Sequence, residues 1–132
     1  MSEALLKIGI TGGIGSGKSY VSRLLKERGI PVYDTDSEAK RLMSESADIR
    51  RGLIDLLGAD VYCPDGSLDK SVVASFLFAS RQNADRINAI VHPVVKSDFL
   101  SWVSRHQGIV AMECAILFES GFSDVVDFVV AV

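Results

Sequence analysis

The twelve residues GITGGIGSGKSY, positions 9 to 20, hold five glycines and come directly after an apolar run. Glycine loses more conformational freedom on folding than any other residue, so such a concentration belongs where the backbone needs unusual dihedrals or close approach to something else. Upstream, LLKIGI (5 to 10) has the near-continuous apolar character of a strand buried on both faces of a parallel sheet, ending at Thr11. Downstream, GKSYVSRLLKERG places Val21, Leu24 and Leu25 at helical spacing, with Lys26 and Arg28 in the last turn and Gly29 as the stop. IPVYDTD (30 to 36) then reads as a second strand that tolerates Pro31 at its start and delivers Asp34 and Asp36 past its carboxyl end. A β-α-β unit therefore opens the chain, and it commits the fold to a parallel sheet.

The glycines find their use in anion binding. Gly12, four intervening residues, then Gly17, Lys18 and Ser19 fit the P-loop pattern, and they do so between a buried strand and a helix, where that pattern has physical meaning. Glycines allow successive backbone N–H groups to face an anion, and the helix N-terminus adds the positive end of its dipole. Gly13, Gly15, Ser16, Gly17, Lys18, Ser19 and Tyr20 are thus the expected phosphate-holding residues. The Lys18 ammonium can follow charge on the β- and γ-phosphates, and the Ser19 hydroxyl suits Mg²⁺. A dinucleotide fingerprint is the weaker reading, since the full six-position glycine spacing and its acidic partner do not occur together. A guanine-nucleotide switch is disfavoured: no Asn-Lys-x-Asp segment is present, and the D-x-x-G from Asp55 to Gly58 lies in a helical stretch.

Between about Ser37 and Gln107 the apolar residues recur at three and four, the signature of helices. YCPDGSLD (62 to 69) interrupts them with turn chemistry, Ser67 being the expected N-cap of the next helix. RINAIVHPVVKSDFLSWVSRH (86 to 106) carries Ile87, Ile90, Val91, Val94 and Val95 along one face, with Pro93 either kinking that helix or starting a new one. GIVAMECAILFE (108 to 119) and VVDFVVAV (125 to 132) return to the composition of buried strands. The expectation is an α/β fold of the P-loop nucleoside-triphosphatase type: a parallel sheet flanked by helices, with a helical insertion between strands 2 and 3. Residues 1–36 and 108–132 are expected to form the nucleotide-binding core and 37–107 the helical insertion. Because the chain ends on an apolar strand, a longer natural protein is expected.

Composition excludes several other classes. A formal net charge of −3 gives no global attraction to nucleic acid. The apolar runs stop far short of the roughly 18 residues that a membrane span needs. No secretory leader is visible at the N-terminus, so a cytoplasmic location is expected. Cys63 and Cys114 stand without a Cys or His at metal-ligand spacing, which leaves two reduced thiols. Of the carboxylates after the second strand, Asp36 is read as the group that orients or deprotonates an acceptor hydroxyl, and Asp34 equally as catalyst or as helix cap.

GITGGIGSGKS, GIPVYDTD, LGADVYCPDGSLD, INAIVHPVV and AILFE, in that order and at these separations, resemble the dephospho-coenzyme A kinase family. The resemblance runs from residue 8 to 132. It implies that ATP, with Mg²⁺, donates its γ-phosphoryl group to the ribose 3′-hydroxyl of dephospho-coenzyme A. Asp36 would accept the proton and act as a catalytic residue with Lys18, while Thr11, Asp36, Lys40 and His92 would face the acceptor. For Lys40, beside Arg41, a solvated helix face is an equal reading, and His92 is read as structural or as an acceptor contact rather than as a base. Glu119 matches the acid closing the family's Leu-Leu-Phe-Glu type of segment. Glu113 is assigned to packing or capping, with a water-mediated role toward Mg²⁺ as the other reading. Tyr20 and Lys70 depart from the Thr and Arg common in the family, and the family's Arg-bearing lid and adenine-contacting segment are not in the sequence. The other readings are a P-loop kinase for a nucleoside or sugar, and a nucleotide-binding module without turnover. Oligomeric state is not addressed by the sequence.

Overall fold

The computed structural model describes residues 6–12, 17–114 and 122–132. Four parallel strands, β1 (Leu6–Thr11), β2 (Val32–Asp34), β3 (Ile109–Glu113) and β4 (Phe128–Ala131), lie in the order β2-β3-β1-β4. Helix α1 (Lys18–Glu27) connects β1 to β2. Helices α2 (Thr35–Glu45), α3 (Ala47–Leu57), α4 (Lys70–Ala79) and α5 (Arg81–Val103) fall between β2 and β3. This is the parallel α/β architecture with a helical insertion between the second and third strands that the sequence implied.

The chain divides into two compact units, one of Met1–Glu38 with Lys96–Val132 and one of Ala39–Val95. The first unit reaches further into α5 than the boundary at residue 107 foreseen from the sequence, and aromatic packing is the reason. Tyr33 of β2, 2% exposed, packs edge-on against Phe99 and Trp102 of α5 and donates a hydrogen bond of 2.8 Å to Asp98 Oδ2. Such pairs add to the area they bury. Ile10, Val110, Ala111, Met112, Cys114 and Phe122 complete this core.

Helix α1 ends as the sequence requires. Gly29, at φ 82°, donates to the Lys26 carbonyl and Ile30 to the Leu25 carbonyl, the paired bonds of a Schellman stop. β4 differs from its expected buried character. Among the described residues it pairs with β1 alone, and Phe128 and Val130 are 61% and 45% exposed.

In the second unit, Leu42, Ile49, Leu53, Val61, Ile87, Val91 and Val95 are buried. The Pro-Asp-Gly turn is held by Arg50, which donates to the carbonyls of Ser44 and Gly66 and lies 4.1 Å over the Tyr62 ring. Burial raises the Tyr62 hydroxyl above its ordinary pKa, with Arg50 opposing. The cap of α4 is Asp69, not Ser67: its carboxylate accepts the Ser71 N–H at 3.0 Å. Ser67 instead closes the turn, donating from backbone and hydroxyl to Asp65. α5 begins at Arg81, five residues before the expected start, and runs through Pro93 as a single helix.

Candidate active site

Parallel pairing brings the carboxyl ends of β2, β3 and β1 level. Asp34 lies opposite Glu113, and Glu113 opposite Ile10, with Thr11 next along β1. The chain leaves β1 toward β2 on one side and β3 toward β4 on the other, so the neighbours β1 and β3 flank the point where the connections diverge. Ligands of open α/β sheets bind in the crevice outside the strands' carboxyl ends at such a point.

Helix α1 opens toward this edge. Gly17 precedes it at φ 96°, a conformation strained for any residue with a side chain, and supplies no side-chain cap. No acidic residue lies in its first turn. By contrast, α3 and α4 are capped by Ser46 and Asp69, and the Asp34 carboxylate accepts from the Ser37 backbone and hydroxyl as α2 begins. The first residue of α1 is Lys18. Its Nζ lies 3.6 Å from Glu113 Oε1, with the two side chains only 16% and 11% exposed. That separation is too long for a hydrogen bond, and Glu113 Oε1 is buried without one among the described residues, but the charges attract across a largely dry gap. The pair spans the divergence point itself, from the helix after β1 to the end of β3.

Ser19 and Tyr20 are exposed in the first turn of α1, with the Arg23 guanidinium 5.6 Å over the Tyr20 ring. Thr11 is 8% exposed. Asp36 is not in a loop but in the first turn of α2, exposed, with no hydrogen-bond or ion-pair partner among the described residues. The neighbouring Asp34 carboxylate accepts from the Ser37 N–H and hydroxyl, the contacts of a helix cap. Gly13, Gly15, Ser16 and Glu119 lie outside the described residues. Lys40, exposed on α2, and half-buried His92, on α5, belong to the second unit. Asp55 is inside α3 with Gly58 as its C-cap, so the D-x-x-G match is a helix end. No disulfide links Cys63 and Cys114.

The partner of Lys18 is the element that sequence reasoning missed. Glu113 was visible as an acid near a strand end, but its pairing depends on a register linking residues 10 and 113, for which no local pattern exists. Among the described residues no group of three or more His, Cys, Asp or Glu is placed to hold a metal ion, and no helix is long and apolar enough to cross a membrane.

A parallel sheet carrying a Gly-x₄-Gly-Lys-Ser motif between β1 and α1, with its lysine at the topological crevice, defines a P-loop protein with a helical insertion. The sequence profile of the dephospho-CoA kinase family matches residues 6–132, and the chain belongs to that family. A dephospho-CoA kinase of Bacteroides fragilis is 50% identical over 129 residues, which are 96% of this chain and 62% of the relative. One of Porphyromonas gingivalis is 47% identical over 97% of this chain and 63% of its own length. Among solved structures, TT1252 from Thermus thermophilus superposes with a TM-score of 0.79 at 31% identity, covering 100% of this chain and 66% of that one. A dephospho-CoA kinase from Campylobacter jejuni shares the fold at a TM-score of 0.73 and 16% identity, over 96% of this chain and 66% of that one. The chain thus spans about 62% of the length of the first two relatives.

Proposed function

We propose that the chain binds ATP at the carboxyl edge of its sheet and takes part in phosphoryl transfer to the ribose 3′-hydroxyl of dephospho-coenzyme A, giving coenzyme A and ADP. The observation that carries this reading is the motif lysine, Lys18, lying at the crevice with a buried carboxylate as its only described partner. In this proposal the backbone of Gly13, Gly15, Ser16, Gly17, Ser19 and Tyr20 holds the phosphates, with Lys18 against the β- and γ-groups. Asp36 accepts the proton of the attacking hydroxyl as its oxygen bonds to the γ-phosphorus and the β–γ bridge breaks, ADP leaving with that bond's electrons. An exposed carboxylate with no described partner in the first turn of a helix suits this task, because nothing has to be displaced to free it. Thr11, Lys40 and His92 are assigned to the acceptor, and Ala39–Val95 to its binding.

Mg²⁺ fits these residues: it is commonly held by one or two protein oxygens together with substrate phosphates, and the exposed Ser19 hydroxyl and Glu113 Oε1, which has no hydrogen bond among the described residues, are candidate oxygens for it. When bound there, the ion would neutralise charge on the transferring group. A cytoplasmic location goes with this substrate and donor.

Turnover with dephospho-coenzyme A, read as ADP release beside a panel of nucleosides and sugars, tests the assignment. Turnover with another acceptor and none with dephospho-coenzyme A would overturn it. Because the chain spans only part of its relatives' length, binding without turnover is the second reading, and calorimetry with ATP separates the two.

A further inference from the structure

β2 is only three residues long and, among the described residues, pairs with β3 alone. α2 starts at the very next residue, so Asp36 stands two positions beyond the strand with no loop between them. Its carboxylate has no partner among the described residues. A side chain that nothing else holds takes its direction from the backbone beneath it, so whatever fixes that backbone also aims the proposed base. Asp34 accepts from the Ser37 N–H at 3.4 Å and from its hydroxyl at 3.0 Å, but both groups lie within the turn and travel with it. Thr35 is buried, yet its hydroxyl has no hydrogen bond among the described residues. Tyr33 reaches outside the turn. Its hydroxyl donates at 2.8 Å to Asp98 Oδ2, 65 positions away on α5, and its ring lies edge-on to Phe99 and Trp102 with centroids 5.2 and 5.4 Å away. α5 is a firm support there, since Val95, Phe99 and Val103 are all buried. Ring packing holds β2 against the helix but tolerates sliding, whereas a hydrogen bond to a carboxylate is directional and stronger than one between neutral groups.

We propose that Tyr33 and Asp98 are positioning residues for the reaction: their hydrogen bond pins the end of β2 to α5 and thereby aims Asp36 at the acceptor hydroxyl. The inference rests on the phosphoryl-transfer reading above. Neither residue is assigned a contact with the reacting atoms, and both act through Asp36. The rate depends on that aim, because a misplacement of about 1 Å in a reacting group can cost as much as about 10²-fold.

Steady-state kinetics with ATP and dephospho-coenzyme A provide the test. Tyr33→Phe keeps the ring and removes the hydroxyl, and it should lower kcat about tenfold while leaving both KM values within about twofold of the wild type. Asp98→Ala should do the same from the α5 side, and Asp98→Asn, whose amide oxygen can still accept the hydroxyl, should recover most of the loss. The deciding comparison is made in Asp36→Asn, where no base is left to aim: adding Tyr33→Phe there should change the remaining rate by less than about twofold. A full tenfold fall in that background would show a general structural role and overturn the proposal, as would a wild-type kcat in Tyr33→Phe. A wild-type chain without turnover of dephospho-coenzyme A would instead overturn the phosphoryl-transfer reading and the inference with it. Should Tyr33→Phe not fold, Asp98→Ala carries the comparison in both backgrounds.

Discussion

Lys18 and Asp36 are placed by opposite local circumstances, and mutation should separate them. Lys18 is largely enclosed and ion-paired, whereas Asp36 is exposed at a helix start. On the proposed mechanism, Lys18→Ala removes transition-state charge stabilisation and should lower kcat/KM with dephospho-coenzyme A by about 10²-fold or more, as loss of a preorganised electrostatic group does. Asp36→Asn should lower kcat by about 10²- to 10⁴-fold while leaving affinity for the ATP analogue close to wild type, the signature of a lost proton acceptor. Unchanged steady-state rates for either variant would contradict its assigned role. Asp69 gives a pH prediction at the same scale. Hydrogen bonds from the Ser71 hydroxyl and then its N–H hold this carboxyl below its ordinary value of 3.8. Its contribution to folding is therefore present above that value and is lost as pH falls through the lower folded value. Urea midpoints measured from pH 7 to 3 should fall more steeply for the wild type than for Asp69→Asn, which keeps a capping side chain but cannot titrate. Parallel curves would remove Asp69 from the acid sensitivity.

Helix packing sets the next prediction. Gly52 of α3 faces Ile90 of α5 so closely that an added Cβ would lie 2.8 Å from Ile90 Cγ2. That methyl sits on a β-branched carbon with one strongly preferred rotamer in a helix, so it cannot swing clear. Gly52→Ala should therefore destabilise the second unit by about 1–3 kcal/mol, despite alanine's better helix propensity. Paired denaturation curves of Gly52→Ala and the double variant Gly52→Ala/Ile90→Ala, the latter relieving the clash, provide the check. A stabilised single variant would show that α3 and α5 have room to part. Among the elements, β1, α1 and β2 were legible because each carries its period and its stop signals locally. α4 was less so: Ser67 and Asp69 both have the chemistry of a cap, and the choice fell to Asp69, whose carboxylate meets the Ser71 N–H, once Ser67 was taken up by the turn with Asp65. The edge position of β4 was illegible for a different reason. Its valines read as buried, but exposure depends on how many strands lie beside it.

For the molecule as a whole, a ligand bound by the folded state alone shifts its stability by mass action. An ATP analogue with Mg²⁺ at about a hundred times its Kd should add about 2.7 kcal/mol to the unfolding free energy of whichever unit holds it. The proposal puts that unit at Met1–Glu38 with Lys96–Val132. Hydrogen exchange with and without the analogue should show protection gained in β1, α1 and β3, and protection confined to residues 39–95 would move the nucleotide to the other unit.

By itself the sequence determined the parallel α/β class, the P-loop motif before α1 and the helical insertion, since these arise from runs, periods and spacings contained within a few turns of chain. It likewise put Lys18 and Ser19 in the first turn of α1 and an acid just after β2. Tertiary structure alone decided that Lys18 meets Glu113, that Asp34 accepts from Ser37 while Asp36 has no partner among the described residues, and that the end of α5 joins the core through Tyr33, Phe99 and Trp102. The physical reason is that register between parallel strands is fixed by burial summed over the whole sheet. Two charges ninety-five positions apart (18 and 113) become partners only when that sum brings the ends of β1 and β3 level.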